Sequence, residues 1–433
     1  MSIDTPARVQ VPRASWVALA LLFAIGVFNY LDRTIISILQ IPMKAELGFT
    51  DTQLGLLLGA SFGLVYTTFG LPIGRLADRT SRKGVLGVCL LVWTGLTAVT
   101  GFATSYAALL VCRMGVAIGE AGCAPISHSL ISDLFPRERR AGAVALWAMS
   151  LPLGILLGFL LGGWLSHALG WRHAFLWVGL AGMLLVPVTF LILREPIRGA
   201  LDGARAHAVL PPLRDVLKLM WACRSYRLIL VAAALHLFSF YATSIWFPQF
   251  YARVHHMPIR EVGGVMALIG GVGGLIGMAS AGYLSDRLGK TDARWYLRLP
   301  AIAEALLIPL TLVQLFTPNL GLSVAVGVVN GALVQMYFAP MIATTQSLMP
   351  ARVRTFTGAF YVFFANVFSM SLGPVFVGVI SDRLGGGPQA LSIAIALALV
   401  ASAAAIVVFL TAARTLRSDL VTTPATEFAE KAG

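Results

Sequence analysis

The chain has 433 residues, of which 58% are hydrophobic and only 12% charged, and it carries a formal net charge of +13. A water-soluble domain of this length could not hide so much apolar surface. The basic residues are scattered among apolar runs rather than gathered into a patch, which excludes a nucleic-acid partner and points to an integral membrane protein in contact with lipid.

Read from the N-terminus, the apolar runs fall at about 16–40, 52–74, 84–103, 106–132, 141–166 and 172–193, then 226–251, 261–285, 296–316, 320–348, 357–382 and 388–412. Each is close to the roughly twenty residues that a helix needs to cross the hydrocarbon, so twelve transmembrane helices are expected. The first run, from Trp16, is too long for the apolar core of a secretory signal and is expected to stay as span 1. Lys and Arg concentrate in the connections on the side of both chain ends, which places both termini in the cytoplasm. Expected domains are an N-terminal six-helix bundle at 1–193, a cytoplasmic linker at 194–225, a C-terminal six-helix bundle at 226–412 and a disordered cytoplasmic tail at 413–433. Within the linker, Leu213, Val216, Leu217 and Met220 recur at helical spacing after Pro211 and Pro212, as in a short interfacial helix tying the halves together.

Charges inside the apolar runs are the first candidates for function, because a charge at the bilayer centre costs several kcal/mol unless it is paired or faces water. Span 1 holds Asn29, Asp32 and Arg33; span 4 holds Arg113 and Glu120. Arg113 and Glu120 are seven positions apart, two helical turns, and so share a face about 10 Å apart along the axis. Asn29 and Arg33 share a face of span 1 at i, i+4, with Asp32 about 100° away from Arg33. A carboxylate buried beside an arginine can exchange protons reversibly, which makes Glu120 first and Asp32 second among proton-coupling candidates. The competing reading is a permanent ion-pair network holding spans 1 and 4 together.

His128 and His236 are lone intramembrane histidines, read as packing, and Glu304 is left outside the site. Tyr66, Tyr337 and Tyr361 are candidate substrate contacts from helices expected to face a cavity. Cys89, Cys112, Cys123 and Cys223 have neither zinc nor disulfide spacing and are read as packing residues, and no set of residues has the spacing of a catalytic or metal centre. The protein is therefore not expected to be an enzyme, and no metal or cofactor is expected beyond a coupling proton.

An internal repeat supports two related halves. Gly74 to Arg79, Gly282 to Arg287 and Gly378 to Arg383 close spans 2, 8 and 11 with similar residues, and Gly163 to His167 echoes them at the end of span 5. Recurrence every three helices is typical of secondary transporters.

The run GRLADRTSRK from Gly74 to Lys83 resembles the signature loop between helices 2 and 3 of the major facilitator superfamily, with Ser81 where that family usually has Gly. NYLDR at Asn29 to Arg33, the run from Arg113 to Ala141, GWRHAFLWVGL and the REP at Arg194 to Pro196 resemble bacterial Spinster-like transporters of that superfamily. Its anion:cation symporters share the NYLDR element and a similar Arg and Glu pattern. The resemblance implies the major facilitator fold, two pseudo-symmetric six-helix bundles around a central cavity lined by helices 1 and 4, in a bacterial inner membrane, working as a monomer. It implies that Arg33 approaches Glu120 while Asp32 sits nearer Arg113, and that helices 3, 6, 9 and 12 support the bundles from outside. It further implies an inner gate of Gly74, Asp78 and Arg79 in which Asp78 meets the start of helix 11 and Arg137 or Arg140 of the 4–5 loop when shut. The glycines of span 5, Gly154, Gly158, Gly162 and Gly163, are similar to an antiporter motif, with Phe159 replacing its Pro, and are expected to press this helix against the other half. The Gly263 to Gly277 series of span 8 is read as close packing. The expected function is proton-coupled, alternating-access transport of a small amphiphilic anion such as a lysophospholipid or sphingoid phosphate, or of a lipophilic drug-like compound, with Arg33 or Arg113 attracting the anionic head. The alternative is proton-coupled symport of a small organic carboxylate.

Overall fold

The computed structural model describes residues 11–198, 212–350 and 353–422. Twelve helices in it are long and apolar enough to cross a membrane: Arg13–Leu47, Asp51–Arg79, Arg82–Thr100, Tyr106–Leu134, Glu138–Leu169 and Trp171–Ile192, then Arg224–Val254, Ile259–Gly289, Trp295–Phe316, Leu320–Ser347, Phe356–Arg383 and Pro388–Leu420. They are called spans 1 to 12 here. The chain folds as an all-helical, multi-pass membrane protein. Large apolar side chains stay exposed where the helices face outward, Leu191 at 82% and Val400 at 68%, because their solvent is hydrocarbon and burial among protein atoms gains them nothing.

Helix ends follow local chemistry. Span 1 stops where Gly48 adopts φ 69° and donates its N–H to the Lys44 carbonyl, a conformation that glycine reaches without a Cβ clash. Thr50 then opens span 2 as a capping box with Gln53. Span 12 continues to Thr422, ten residues past the expected boundary at 412, because Ala413 and Leu416 keep an apolar seam buried along it. The linker helix occupies Leu213–Ala222. Val216, Leu219 and Met220 pack with Tyr226 of span 7 and Leu416 of span 12, so it docks on the second half rather than bridging the two.

Small residues set how closely the helices approach, and the structure corrects one expectation here. Gly154, Gly158 and Gly162 of span 5 press on span 1 of their own half, against Tyr30, Thr34 and Ile38; only Gly163 reaches the other half, at Gly263 of span 8. Positions four apart share a face, and span 1 occupies that face. Span 8 behaves as packing, with Gly271 against Leu156 and Gly277 against the Ala332 backbone. A methyl group at Gly331 would lie 2.0 Å from the Ile269 carbonyl oxygen, a backbone atom that cannot swing away. Gly331→Ala is therefore expected to destabilise the second half by about 1–3 kcal/mol; an unchanged thermal unfolding midpoint in detergent would show that spans 8 and 10 separate freely.

Two helical irregularities escaped the sequence reading. Span 2 contains a π-turn at Leu56–Ala60 and span 8 one at Ala267–Gly273. Both lie where the halves meet and both supply cavity residues, Leu58 and Ile269.

Candidate functional site

Between the halves lies a cavity of about 220 Å³. Span 1 gives it Arg33 and span 4 Arg113, while Ile155 and Phe159 from span 5, Phe247 from span 7 and Met266 from span 8 make much of the remaining wall apolar.

The charged residues of spans 1 and 4 come together, with Arg33 at Glu120 as the resemblance implied. Arg33 Nε donates to Glu120 Oε2 at 2.6 Å, and its Nη2 reaches Asn29 Oδ1 at 3.4 Å. The guanidinium lies 4.2 Å from the Tyr66 ring centroid, and Tyr66 stacks on Phe62. Glu120 is fully buried, and its carboxyl lies beside that of Asp32, close enough for a shared proton to join them. Asp32 accepts a 2.6 Å hydrogen bond from the Thr97 hydroxyl of span 3, lies beside the Glu120 carboxyl and feels the Arg113 charge without an ion-pair contact among the described residues. The 100° offset along span 1 turns Asp32 toward span 3. Arg113 rests with its guanidinium 4.0 Å from the Phe62 ring centroid, is 7% exposed, and its Nε has no hydrogen-bond partner. It is thus a buried cation beside an open cavity with no hydrogen-bonded anion, its charge balanced at longer range by Glu120 and Asp32.

Tyr337 and Tyr361 do not line this cavity. Their hydroxyls bond to each other inside the second half's core, with both rings buried. Periodicity gave the helices but not how each was rotated.

Two features were missed. His236 of span 7 bonds Glu304 of span 9, and both line the cavity, so span 9 is more than an outer support. The second is a latch at the face opposite the chain ends. Asp51, at the start of span 2 and fully buried, accepts from both Nη atoms of Arg253 at 2.8 and 2.7 Å, from Ser381 at 2.6 Å and from Lys44. Asp382, closing span 11, accepts the N–H groups of Asp51 and Thr52 at 3.0 and 2.7 Å, where the helix dipole favours an anion. The GVISDR echo held the signal for Asp382; Asp51 and Arg253 looked like ordinary loop charges.

The face of the chain ends is arranged differently. Asp78 and Arg79 are exposed, Asp78 meets Arg198 only through its backbone carbonyl, and a Cβ on Gly74 would touch nothing within 4 Å. Arg140 bonds the Ser132 carbonyl at 2.6 Å; Arg137 begins the helix Arg137–Ala148. Among the described residues the Asp78 carboxylate makes no contact with the start of span 11 or with Arg140. Instead Arg82, 2% exposed, clamps its own half through Asp133 and Glu195. Although partial burial works against its charge, Glu195 is held below the usual carboxylate range by the Lys83 N–H, Arg82 and Ser81. Its contribution is present above the unfolded pKa and lost as pH falls through the lowered value.

The four cysteines are free, three of them buried, and no cluster with metal-binding potential occurs among the described residues. Burial pushes the Cys223 thiol, outside the spans, up to about 11.

The family model of the Major Facilitator Superfamily matches residues 22–374. An MFS-type efflux pump of Mycolicibacterium smegmatis is 32% identical over 92% of this chain and 93% of its own. A hexuronate transporter of Bacillus subtilis is 25% identical over 89% of this chain and 92% of its own. A crystal structure of a bacterial homologue of the human lysosomal transporter Spinster, inward-facing and occupied, superposes with a TM-score of 0.81 at 25% identity, covering 95% of this chain and 99% of that one.

Proposed function

This chain belongs to the Major Facilitator Superfamily, a transporter family rather than an enzyme family, and we propose that it is a proton-coupled, alternating-access carrier of an amphiphilic anion. The observation that carries this reading is Arg113, a buried guanidinium at an open cavity with no carboxylate bonded to it. An anionic head placed there would gain a charge-assisted hydrogen bond that the empty protein lacks. The apolar wall of Phe159, Phe247, Met266 and Ile269 suits an acyl or aromatic tail. A small, highly hydrated carboxylate such as the hexuronates carried by the B. subtilis relative would leave that wall uncovered, which favours the amphiphile over the carboxylate reading.

In this reading the coupling proton resides on Glu120, with Asp32 as a second acceptor. Arg33 holds the Glu120 carboxylate in the unloaded state; protonation of Glu120 would release Arg33 toward the substrate. The latch of Asp51, Arg253 and Asp382 closes the outer face, so the described state is open toward the cytoplasm in a bacterial inner membrane, with both chain ends inside. Gly74, Asp78, Arg79, Arg137 and Arg140 would form the inner gate when the cavity opens outward, with the protein acting as a monomer.

The test is Arg113→Ala in purified protein, with binding of a lysophosphatidate compared with that of the matching neutral monoacylglycerol. Loss of about tenfold or more in affinity for the phosphate form alone is expected. Equal losses for both would assign Arg113 to structure.

A further inference from the structure

The second half contains one buried carboxylate among the described residues, Glu304, and it is joined to the buried imidazole of His236. Both residues are 3% exposed and both line the central cavity. We propose that His236 and Glu304 form a second proton-exchanging site, separate from the Arg33 and Glu120 pair on the other half. This rests on the transport reading above and adds to it a proton carried by each half.

The geometry supports exchange over a fixed structural tie. Glu304 Oε2 has no hydrogen-bond partner. A permanently ionised carboxylate in a membrane interior would need both oxygens satisfied, whereas one that alternates between ionised and protonated forms can leave an oxygen free in one of them. The partner is histidine, the side chain whose ordinary titration range spans physiological pH. With one added proton the pair is net neutral, either as imidazolium and carboxylate or as neutral imidazole and carboxylic acid; when that proton leaves to cavity water the pair is a neutral imidazole and a carboxylate, net negative. Two interacting groups of this kind titrate as a unit.

The groups around the pair leave the cavity as the open route. From span 10, Tyr337 stacks on the His236 ring at 4.1 Å between centroids, and from span 11 the Tyr361 hydroxyl bonds Tyr337 behind it. Span 12 offers the hydroxyl of Ser402, and span 7 itself carries Tyr241. None of these is charged at neutral pH. The cations facing the same cavity are Arg33 and Arg113 across it, on the other half. A proton lost from the pair is thus opposed by positive charge only from the far wall, and substrate anions drawn to those arginines would compete with the pair for that field.

Histidine-selective NMR of the full-length protein in nanodiscs tests this without a transport substrate. The chain has seven histidines, and the His236 signal is the one lost in His236→Gln. The expected result is that this signal titrates between about pH 5 and 8 and that its midpoint moves by about one pH unit or more in Glu304→Gln, where the carboxamide keeps the hydrogen bond but not the charge. A signal fixed in one protonation state over that range, or a midpoint unchanged in Glu304→Gln, overturns the proposal. Should His236→Gln fail to fold, the signal is identified as the one that Tyr337→Leu shifts by removing the stacked ring current, and the same two outcomes apply. The readout is independent of any substrate, so a protein that titrates here but carries no lysophosphatidate would sink the transport reading alone.

Discussion

Glu120→Gln is expected to abolish gradient-driven accumulation of substrate in liposomes while leaving substrate exchange across the membrane within about twofold of wild type. The carboxamide keeps the shape of Glu120 and can still accept from Arg33, which donates to Oε2 at 2.6 Å in the native protein. What it loses is the charge that a proton can neutralise. Glu120 is fully buried, and the other carboxylate of span 4, Asp133 near its end, is already held by Arg82. Uphill accumulation at the wild-type rate in this variant would reduce the Arg33 and Glu120 pair to a structural tie between spans 1 and 4.

A comparably large effect is expected at the outer face. Asp51 gathers Lys44, Arg253 and Ser381 around one buried carboxylate and presents its own N–H to Asp382. Removing one partner of a buried charge network costs about 3–5 kcal/mol, and here that energy belongs to the state closed at this face. Asp51→Asn should therefore move the population toward the state open at that face. In a background without the four native cysteines, a cysteine at Ser244, which lines the cavity, should react with an impermeant thiol reagent from the outer side about tenfold faster or more. Unchanged labelling in a folded Asp51→Asn protein would mean that packing of Gly55 and Gly59 against span 11, and of Gly163 against Gly263, closes this face without the latch.

The sequence made the membrane spans plain because hydrocarbon enforces their length and apolarity almost residue by residue. The Arg33 to Glu120 contact was legible from the family resemblance, which sets spans 1 and 4 side by side, while the spacings showed only which side chains share a face of each span. Rotation about each helix axis was harder to read. Three span 5 glycines faced span 1, and Asp32 took a hydrogen bond from Thr97 of span 3, because a neighbouring helix rather than periodicity decides which face is occupied. Tyr337 and Tyr361 failed as cavity residues for the same reason, their hydroxyls satisfying one another in the core. Asp51 and Arg253, 202 positions apart, carried no local pattern that could pair them. His236 and Glu304 were legible only as two isolated oddities, 68 positions apart, until the fold set them side by side.

The inner-gate residues make a complementary point. The contact that the signature loop implies for Asp78 is not made among the described residues, yet its repeat partner Asp382 makes one of the same kind, a carboxylate capping the start of a helix of the other half, at the opposite face.

Proton movement measured in wild-type liposomes tests the central claim most directly. Purified protein is reconstituted with a pH indicator inside, without an imposed gradient, and lysophosphatidate, monoacylglycerol and glucuronate are added outside in turn. The account predicts a change in internal pH that saturates with lysophosphatidate, is absent with monoacylglycerol and disappears in Glu120→Gln. Saturable transport of lysophosphatidate with no accompanying proton movement, or proton movement driven by glucuronate alone, would contradict it.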